Sequence, residues 1–316
     1  FVYLHPNNTV EESFARIRKV GLDKETVYTC YVTANRKLQG VVTVKRLLMS
    51  AYDTKINDIM ETNVLSVTTH EDKEEVAQMF SKYDLTALPV VDSEGRLLGI
   101  ITVDDAMDVM EEEATEDFEK MAAILPSDKP YLRTGVLETW KSRIPWLMLL
   151  MLSATFTGLI ITGFESALAA CVILTSFIPM LSGTGGNSGS QSSVAVIRAL
   201  SLGEVEFSDV LAVVWKEVRV ALLCGVCLGG ANFVKMLLVD RMLMHNPDVT
   251  VAVAGVVCLT LMLTVVCAKI VGCLLPMAAE KVGIDPAVMA APFITTIVDA
   301  LSLLIYFGIA TRVLGL

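Results

Sequence analysis

Asp299 carries the strongest chemical signal in this chain. It lies within AAPFITTIVDALSLLIYF, Ala290 to Phe307, inside an apolar run from about Val288 to Thr311. That run is long enough to cross a bilayer, which takes ~20 residues. A carboxylate at such depth costs roughly 2.5 kcal/mol or more, so it faces a partner, a cavity or an ion path. Thr295 and Thr296 precede it by four and three residues and are expected on the same helix face. Such a face presents oxygen ligands only, which suits a cation in a pore. The alternative is a buried ion pair, for which Lys269 is the candidate in the membrane half.

A second group of carboxylates is written on a helix. In Asp104 to Lys120, DDAMDVMEEEATEDFEK, the pairs Asp104 and Asp108, Asp108 and Glu112, and Glu112 and Glu116 are each four residues apart. Like charges at this spacing repel by a few tenths of a kcal/mol per pair. No Lys or Arg stands between Arg96 and Lys120 to relieve them. A helix of this kind is stable when well solvated, docked on a basic surface or bridged by divalent cations. Carboxylates that leave waters in place suit Mg2+ or Ca2+ rather than soft metals. Asp72, Glu74 and Asp84 lie close enough in sequence to add ligands.

Composition sets the frame for both groups. Mean hydropathy is +0.59 over 316 residues, so much of the chain faces lipid. Charge is uneven: Asp53 to Lys120 holds 19 Asp and Glu against five Lys and Arg, more than half of the chain's 35 acids. That block excludes nucleic acid as a partner and favours cations. The seven cysteines lie mostly in apolar runs and read as small packing residues, with no disulfide framework. The three histidines are scattered, and no nucleophile elbow or phosphate loop marks an enzyme.

The soluble half contains an internal repeat. Arg36 to Val44, RKLQGVVTV, aligns with Gly95 to Val103, GRLLGIITV, and the first copy carries an insertion around Gly21 to Glu25. Each copy reads helix, strand, turn, strand, helix. Val76, Met79 and Phe80 carry the helical period; Ala87 to Val91 and Leu97 to Thr102 are the strands, joined by Asp92-Ser93-Glu94-Gly95. Leu88-Pro89-Val90-Val91-Asp92, Gly99-Ile100-Ile101-Thr102 and Asp105 make the pair resemble tandem CBS modules. The resemblance implies that Thr102 and Asp105 contact the ribose of an adenosine ligand such as ATP. The first copy departs from this, with Lys45-Arg46 where the second has Asp104-Asp105.

Five spans are expected in the membrane half: about Ile144 to Gly163, Ser166 to beyond Pro179, Leu211 to Val239, Val249 to Pro276 and Pro286 to Leu314. Lys129, Arg133, Lys141, Arg143, Arg198, Lys216, Arg219 and Lys281 flank one side, and Lys235, Arg241 and Arg312 the other. Eight against three places the acidic half in the cytoplasm and the C-terminus outside. Pro179 to Ser193, PMLSGTGGNSGSQSS, is small, polar and uncharged. Small residues let helices approach closely, and backbone exposed at membrane depth is tolerated where it lines a wet cavity. The alternative is a flexible loop between spans.

An acidic CBS pair, an acidic connector and five spans together resemble the MgtE family of magnesium channels. The matching residues are Pro179 to Ser192, Gly163-Phe164-Glu165-Ser166, Asp285-Pro286, and Asp299 with Leu303-Leu304-Ile305-Tyr306. The resemblance implies a multidomain membrane protein. It has an α/β tandem CBS pair with a truncated first module (residues 1–103), an acidic plug helix (104–130) and an all-α five-helix transmembrane domain (131–316). The family also has an N-terminal helical domain, which is not among these residues, so the chain is expected to be a fragment or a short form. The resemblance further implies a plasma-membrane homodimer whose pore holds hydrated Mg2+ at Asp299 and is lined by Gly185, Gly186 and Asn187 as well as the two threonines. Asp72, Glu74, Asp84, Asp105, Asp108, Glu113, Glu116 and Asp117 would bind the cytosolic Mg2+ that closes it. An ion-coupled divalent-cation carrier regulated by nucleotide is the competing expectation.

Overall fold

A computed structural model of the chain describes every residue except Asp128, Ala290 and Leu316, and only the backbone of Ala291. The first residue of the Asp299 stretch, Ala290, and one position of the expected connector therefore lie outside the described residues. The chain divides into two units, Phe1–Ala114 and Thr115–Leu316.

The first unit is built twice from the same parts. β1 (Val2–Leu4), α1 (Val10–Val20), β2 (Thr29–Ala34), β3 (Lys37–Thr43), α2 (Val44–Leu48) and α3 (Ile56–Ile59) come first. β4 (Val67–Thr68), α4 (Lys73–Tyr83), β5 (Ala87–Val91), β6 (Leu97–Thr102) and the start of α5 (Val103–Met121) follow. Each half forms a three-stranded sheet in which the first strand pairs parallel and the third antiparallel to the second. The first module, expected to be truncated, holds the same number of strands as the second. The short strands β1 and β4 had no counterpart in the expected pattern, because three or two residues carry no readable alternation. The insertion near Gly21 is a single 3-10 turn, Gly21–Asp23. The two hairpins join edge to edge: Leu38 donates its amide to the Gly95 carbonyl (3.0 Å) and Leu97 to that of Arg36 (2.9 Å). At the second hairpin Gly95 takes φ +77°, a conformation that β-carbons resist, while Asp92 Oδ1 accepts the amides of Glu94 and Arg96.

The second unit is helical. After α5 come α6 (Val136–Gly163), α7 (Glu165–Ala170), α8 (Ile178–Ser201), α9 (Val210–Lys235), α10 (Val251–Lys281) and α11 (Ala291–Leu314). Among the described residues, four stretches are long and apolar enough to cross a membrane: Val136–Gly163, Phe207–Leu243, Val251–Lys281 and Pro286–Leu314. α8 has the length of a fifth at 24 residues. The expected second span breaks before it. Cys171, at φ −141° and ψ 78°, ends α7; a 3-10 segment, Val172–Phe177, intervenes; and Pro179 sits in the first turn of α8, where its missing amide costs nothing. The Gly/Ser run is thus helix interior, not a loop. α8 packs chiefly against α10 and α11, while α6 touches α11 and buries none of its residues. All seven cysteines are free.

Candidate functional site: an acidic helix position against a glycine-rich helix

α11 is held from behind. Tyr306, fully buried, donates its hydroxyl to the Leu174 carbonyl at 2.9 Å, and Phe307 stacks on Phe164 with ring centroids 4.8 Å apart. Ile294, Val298 and Leu303 are buried on the same element. This packing fixes the rotation of the helix that carries Asp299, which is half-buried. Ser182 of α8 stands beside the Asp299 carboxylate.

Lys269 is not its partner. The lysine, 4% exposed, lies 3.7 Å from Glu217 Oε2 and donates to Ser192 Oγ at 3.2 Å; Ser192 in turn donates to Glu217 at 2.5 Å. The buried ion pair expected as the alternative for Asp299 thus exists, with a different acid.

The glycines of α8 serve close packing. A β-carbon at Gly185 would meet Thr264 Cγ2 at 2.6 Å and Val298 Cγ1 at 2.8 Å, and one at Gly189 would meet Ile294 Cγ2 at 2.7 Å. At Gly186 it would meet Thr295 Cγ2 at 2.8 Å. Small residues at a helix interface are what membrane helices need, since lipid tails give no hydrophobic drive to associate. Asn187, between these glycines, is exposed. The two threonines diverge: the Thr295 methyl packs on Gly186, while Thr296 lines an apolar groove of about 350 Å³ between α6 and α11, with Phe293 and Ile297. Both hydroxyls donate to the Pro292 carbonyl, at 2.9 and 3.1 Å.

The carboxylates of the first unit and of α5 are placed individually. Asp72 caps α4, accepting the Glu74 amide at 2.8 Å; the Glu74 carboxylate accepts from Gln78; Asp84 ends α4 in the left-handed conformation at φ 51°. Asp105 accepts both the amide (3.1 Å) and the hydroxyl (2.6 Å) of Thr102. These bonds, the hydroxyl first, hold the Asp105 carboxyl below its ordinary pKa. Asp108 is exposed. Glu113 pairs with Lys73 at 2.8 Å, and Glu112 stands 3.8 Å from the same lysine. Repulsion along α5 is therefore eased by a lysine outside the helix, which spacing alone does not reveal.

Further along α5, Asp117 bonds the Ser201 hydroxyl at 3.3 Å, and Lys120 bridges Glu116 and Asp285, the latter at 2.5 Å. Burial alone would lower the Lys120 pKa; its bonds to Asp285 and Glu116 reverse this and hold it above the usual lysine range. The donor set is oxygen throughout and suits a hydrated hard cation. Among the described residues, however, no three His, Cys, Asp or Glu side chains converge into a group that could hold a metal.

Sequence reasoning missed Glu217, Ser192 and Ser182. Glu217 stands between Lys216 and the nearby Arg219 and reads as one more interfacial charge. The serines read as small residues of a uniform run.

Residues 178–309 match the MgtE family profile, described as a divalent cation transporter, and residues 56–112 match the CBS domain. The magnesium transporter MgtE of Thermus thermophilus is 39% identical over 315 residues, covering 99% of this chain and 68% of that protein. Its namesake from Bacillus subtilis is 36% identical, covering 98% of this chain and 67% of that protein. Among solved structures, the cytosolic domain of the Mg2+ channel MgtE in complex with ATP is 43% identical over 34% of this chain and 44% of its own, with a TM-score of 0.34. The cation-transporter profile over the apolar helical unit, with the relatives that share nearly the whole chain, defines a membrane transport protein, not an enzyme. The chain belongs to the MgtE family of magnesium transporters, and it spans about two thirds of the length of these relatives.

Proposed function

We propose that this chain is a Mg2+ channel. Hydrated Mg2+ enters the cytosol past Asp299, down its electrochemical gradient, in a homodimer whose two Asp299 carboxylates face one path. The acidic first unit is cytoplasmic and the C-terminus outside. The observation that carries this reading is the surroundings of Asp299: it lies beside Ser182 of a small-residue helix, while the buried Lys269 is engaged by Glu217. A carboxylate that shares no ion pair with that lysine at membrane depth favours a cation from outside. Mg2+ sheds its inner waters reluctantly, so a carboxylate and neighbouring oxygens can hold it through them. No pump is required, since two charges moving through 100 mV gain about 4.6 kcal/mol, twice the ~2.3 per charge.

The test is current with Mg2+ as the sole permeant ion. Conduction under those conditions supports the channel. Transport that starts only when a proton or Na+ gradient is added assigns the chain to the coupled carriers instead.

An inward drive of that size calls for a brake, and the cytosolic carboxylates are its proposed seat: Asp72, Glu74, Asp84, Asp105, Asp108, Glu113, Glu116 and Asp117. Their mutual repulsion opposes closure at low cytosolic Mg2+, and neutralising it favours the closed state, provided the cation binds that state more tightly. Changing Asp105, Asp108, Glu113 and Glu116 to their amides is expected to leave current at millimolar cytosolic Mg2+, shifting half-inhibition upward by ~10-fold or more, the ratio that 1.4 kcal/mol sets. Unchanged inhibition rejects the brake. ATP is the second proposed ligand of the CBS pair, at the Thr102–Asp105 cap. Calorimetric titration with ATP should give a weaker isotherm for Asp105→Ala; equal isotherms remove Asp105 from that site.

A further inference from the structure

Three helices of the membrane unit meet at one buried polar cluster that the proposed ion path does not use. Glu217 comes from α9, Ser192 from α8 and Lys269 from α10. Ser192 is 1% exposed, the Lys269 residue 4%, and the Glu217 side chain 12%. Charged side chains are almost never so buried unless they are paired, and here they are.

The cluster sits at the end of a continuous seam. On α8, Ser182, Gly185, Gly186, Gly189 and Ser192 follow at helical spacing and share one face. The seam begins where Ser182 stands beside Asp299. It continues where Gly185 and Gly186 meet Val298 and Thr295 of α11, and where Gly189 lies against both Ile294 of α11 and the backbone of Gly272 in α10. One turn past Gly189, Ser192 is clasped between Lys269 and Glu217. Glycines let helices slide as readily as they let them approach, because they offer no side chain to interlock. The polar side chains of the seam, Ser182 and Ser192, are at its two ends.

We propose that Glu217 and Lys269, acting through Ser192, are positioning residues for the ion site: they set the height and rotation of α8, and so hold its glycine face and Ser182 against the Asp299 segment of α11. This rests on the reading of Asp299 as the ion site. The charges are matched, so the clasp adds no net charge to the membrane interior. Ser192 is the link that transmits it to α8, since its hydroxyl is bonded to both partners.

The experiment uses the full chain in liposomes. It reads the Mg2+ concentration for half-maximal flux, the ratio of Mg2+ to Ca2+ flux, and the melting temperature. Ser192→Ala keeps the ion pair and removes the link. It is expected to raise the half-maximal Mg2+ concentration about fivefold, the worth of one ordinary hydrogen bond, and to lower the Mg2+ to Ca2+ ratio, with melting close to the parent. Lys269→Met alone leaves Glu217 unpaired and is expected to lose most flux; adding Glu217→Gln recovers folding and flux while the raised half-maximal concentration persists. Half-maximal concentration and ion ratio that stay at parental values in both Ser192→Ala and the neutralised pair overturn the proposal. If Ser192→Ala fails to fold, the neutralised pair decides alone. Asp299→Asn separates the two levels. If that chain conducts normally, the ion-site reading fails; if it is silent while the clasp variants match the parent, only the positioning role fails.

Discussion

Asp299→Ala is expected to abolish Mg2+ uptake, and Asp299→Asn to come close to doing so. Two unit charges 4 Å apart attract by about 4 kcal/mol in the screened regime near a protein surface. A doubly charged ion held through its waters retains several kcal/mol of that attraction, and each 1.4 kcal/mol is tenfold, so flux should fall by ~100-fold or more. The asparagine variant carries the argument. It preserves the side-chain shape beside Ser182, so the packing of α8 on α11 is kept while the charge is lost. Melting should therefore change little in the asparagine variant. Growth that depends on external magnesium gives the first readout and flux into liposomes the second. An asparagine chain that folds and conducts like its parent removes Asp299 from the ion path.

The repeat in the soluble half is legible because each strand carries its own signal. Ala87–Val91 and Leu97–Thr102 form the strands that alternation and the Asp92–Gly95 turn predict. β1 and β4 are not legible, since two or three residues cannot display a period and gain their place by pairing with β2 and β5. The apolar helices α6, α9, α10 and α11 follow directly from length and hydropathy. α8 does not, because serine and glycine are poor helix formers in water and the same letters write a loop. What makes them a helix is the closeness of α10 and α11, which no local pattern reports. The partner of Lys269 is hidden for a related reason. Asp299 and Glu217 are both acids within reach of a membrane lysine by sequence, 30 and 52 residues away respectively, and only packing selects between them. Lys73 illustrates the same point in the soluble unit, where it neutralises Glu112 and Glu113 from another helix.

The glycine seam supplies the second large effect. At Gly272 a β-carbon would stand 2.2 Å from the Gly189 carbonyl oxygen, 3.0 Å from its carbon and 3.2 Å from its Cα. All three atoms are backbone, so no side chain can swing aside, and ordinary contact begins only near 3.4 Å. Gly272→Ala must therefore push α8 and α10 apart. Overpacking of this sort costs ~1–3 kcal/mol, and the upper end is expected where backbone meets backbone. At ~2–4 °C per kcal/mol for a unit of 150–250 residues, melting should drop by several degrees or more. The control lies on the same helix. A β-carbon at Gly255 would meet nothing within 4 Å, so Gly255→Ala gains helix propensity, ~1 kcal/mol in a water-exposed helix, with no clash. Opposite signs from one substitution on one helix isolate contact from propensity. Because moving α8 also moves Ser182 away from Asp299, Gly272→Ala should lose flux even in chains that remain folded, although it lies 27 residues from the acid. Equal melting of the two alanine variants would mean that α8 and α10 are not in backbone contact at this point, and the seam that aligns Ser182 with Asp299 would lose its basis.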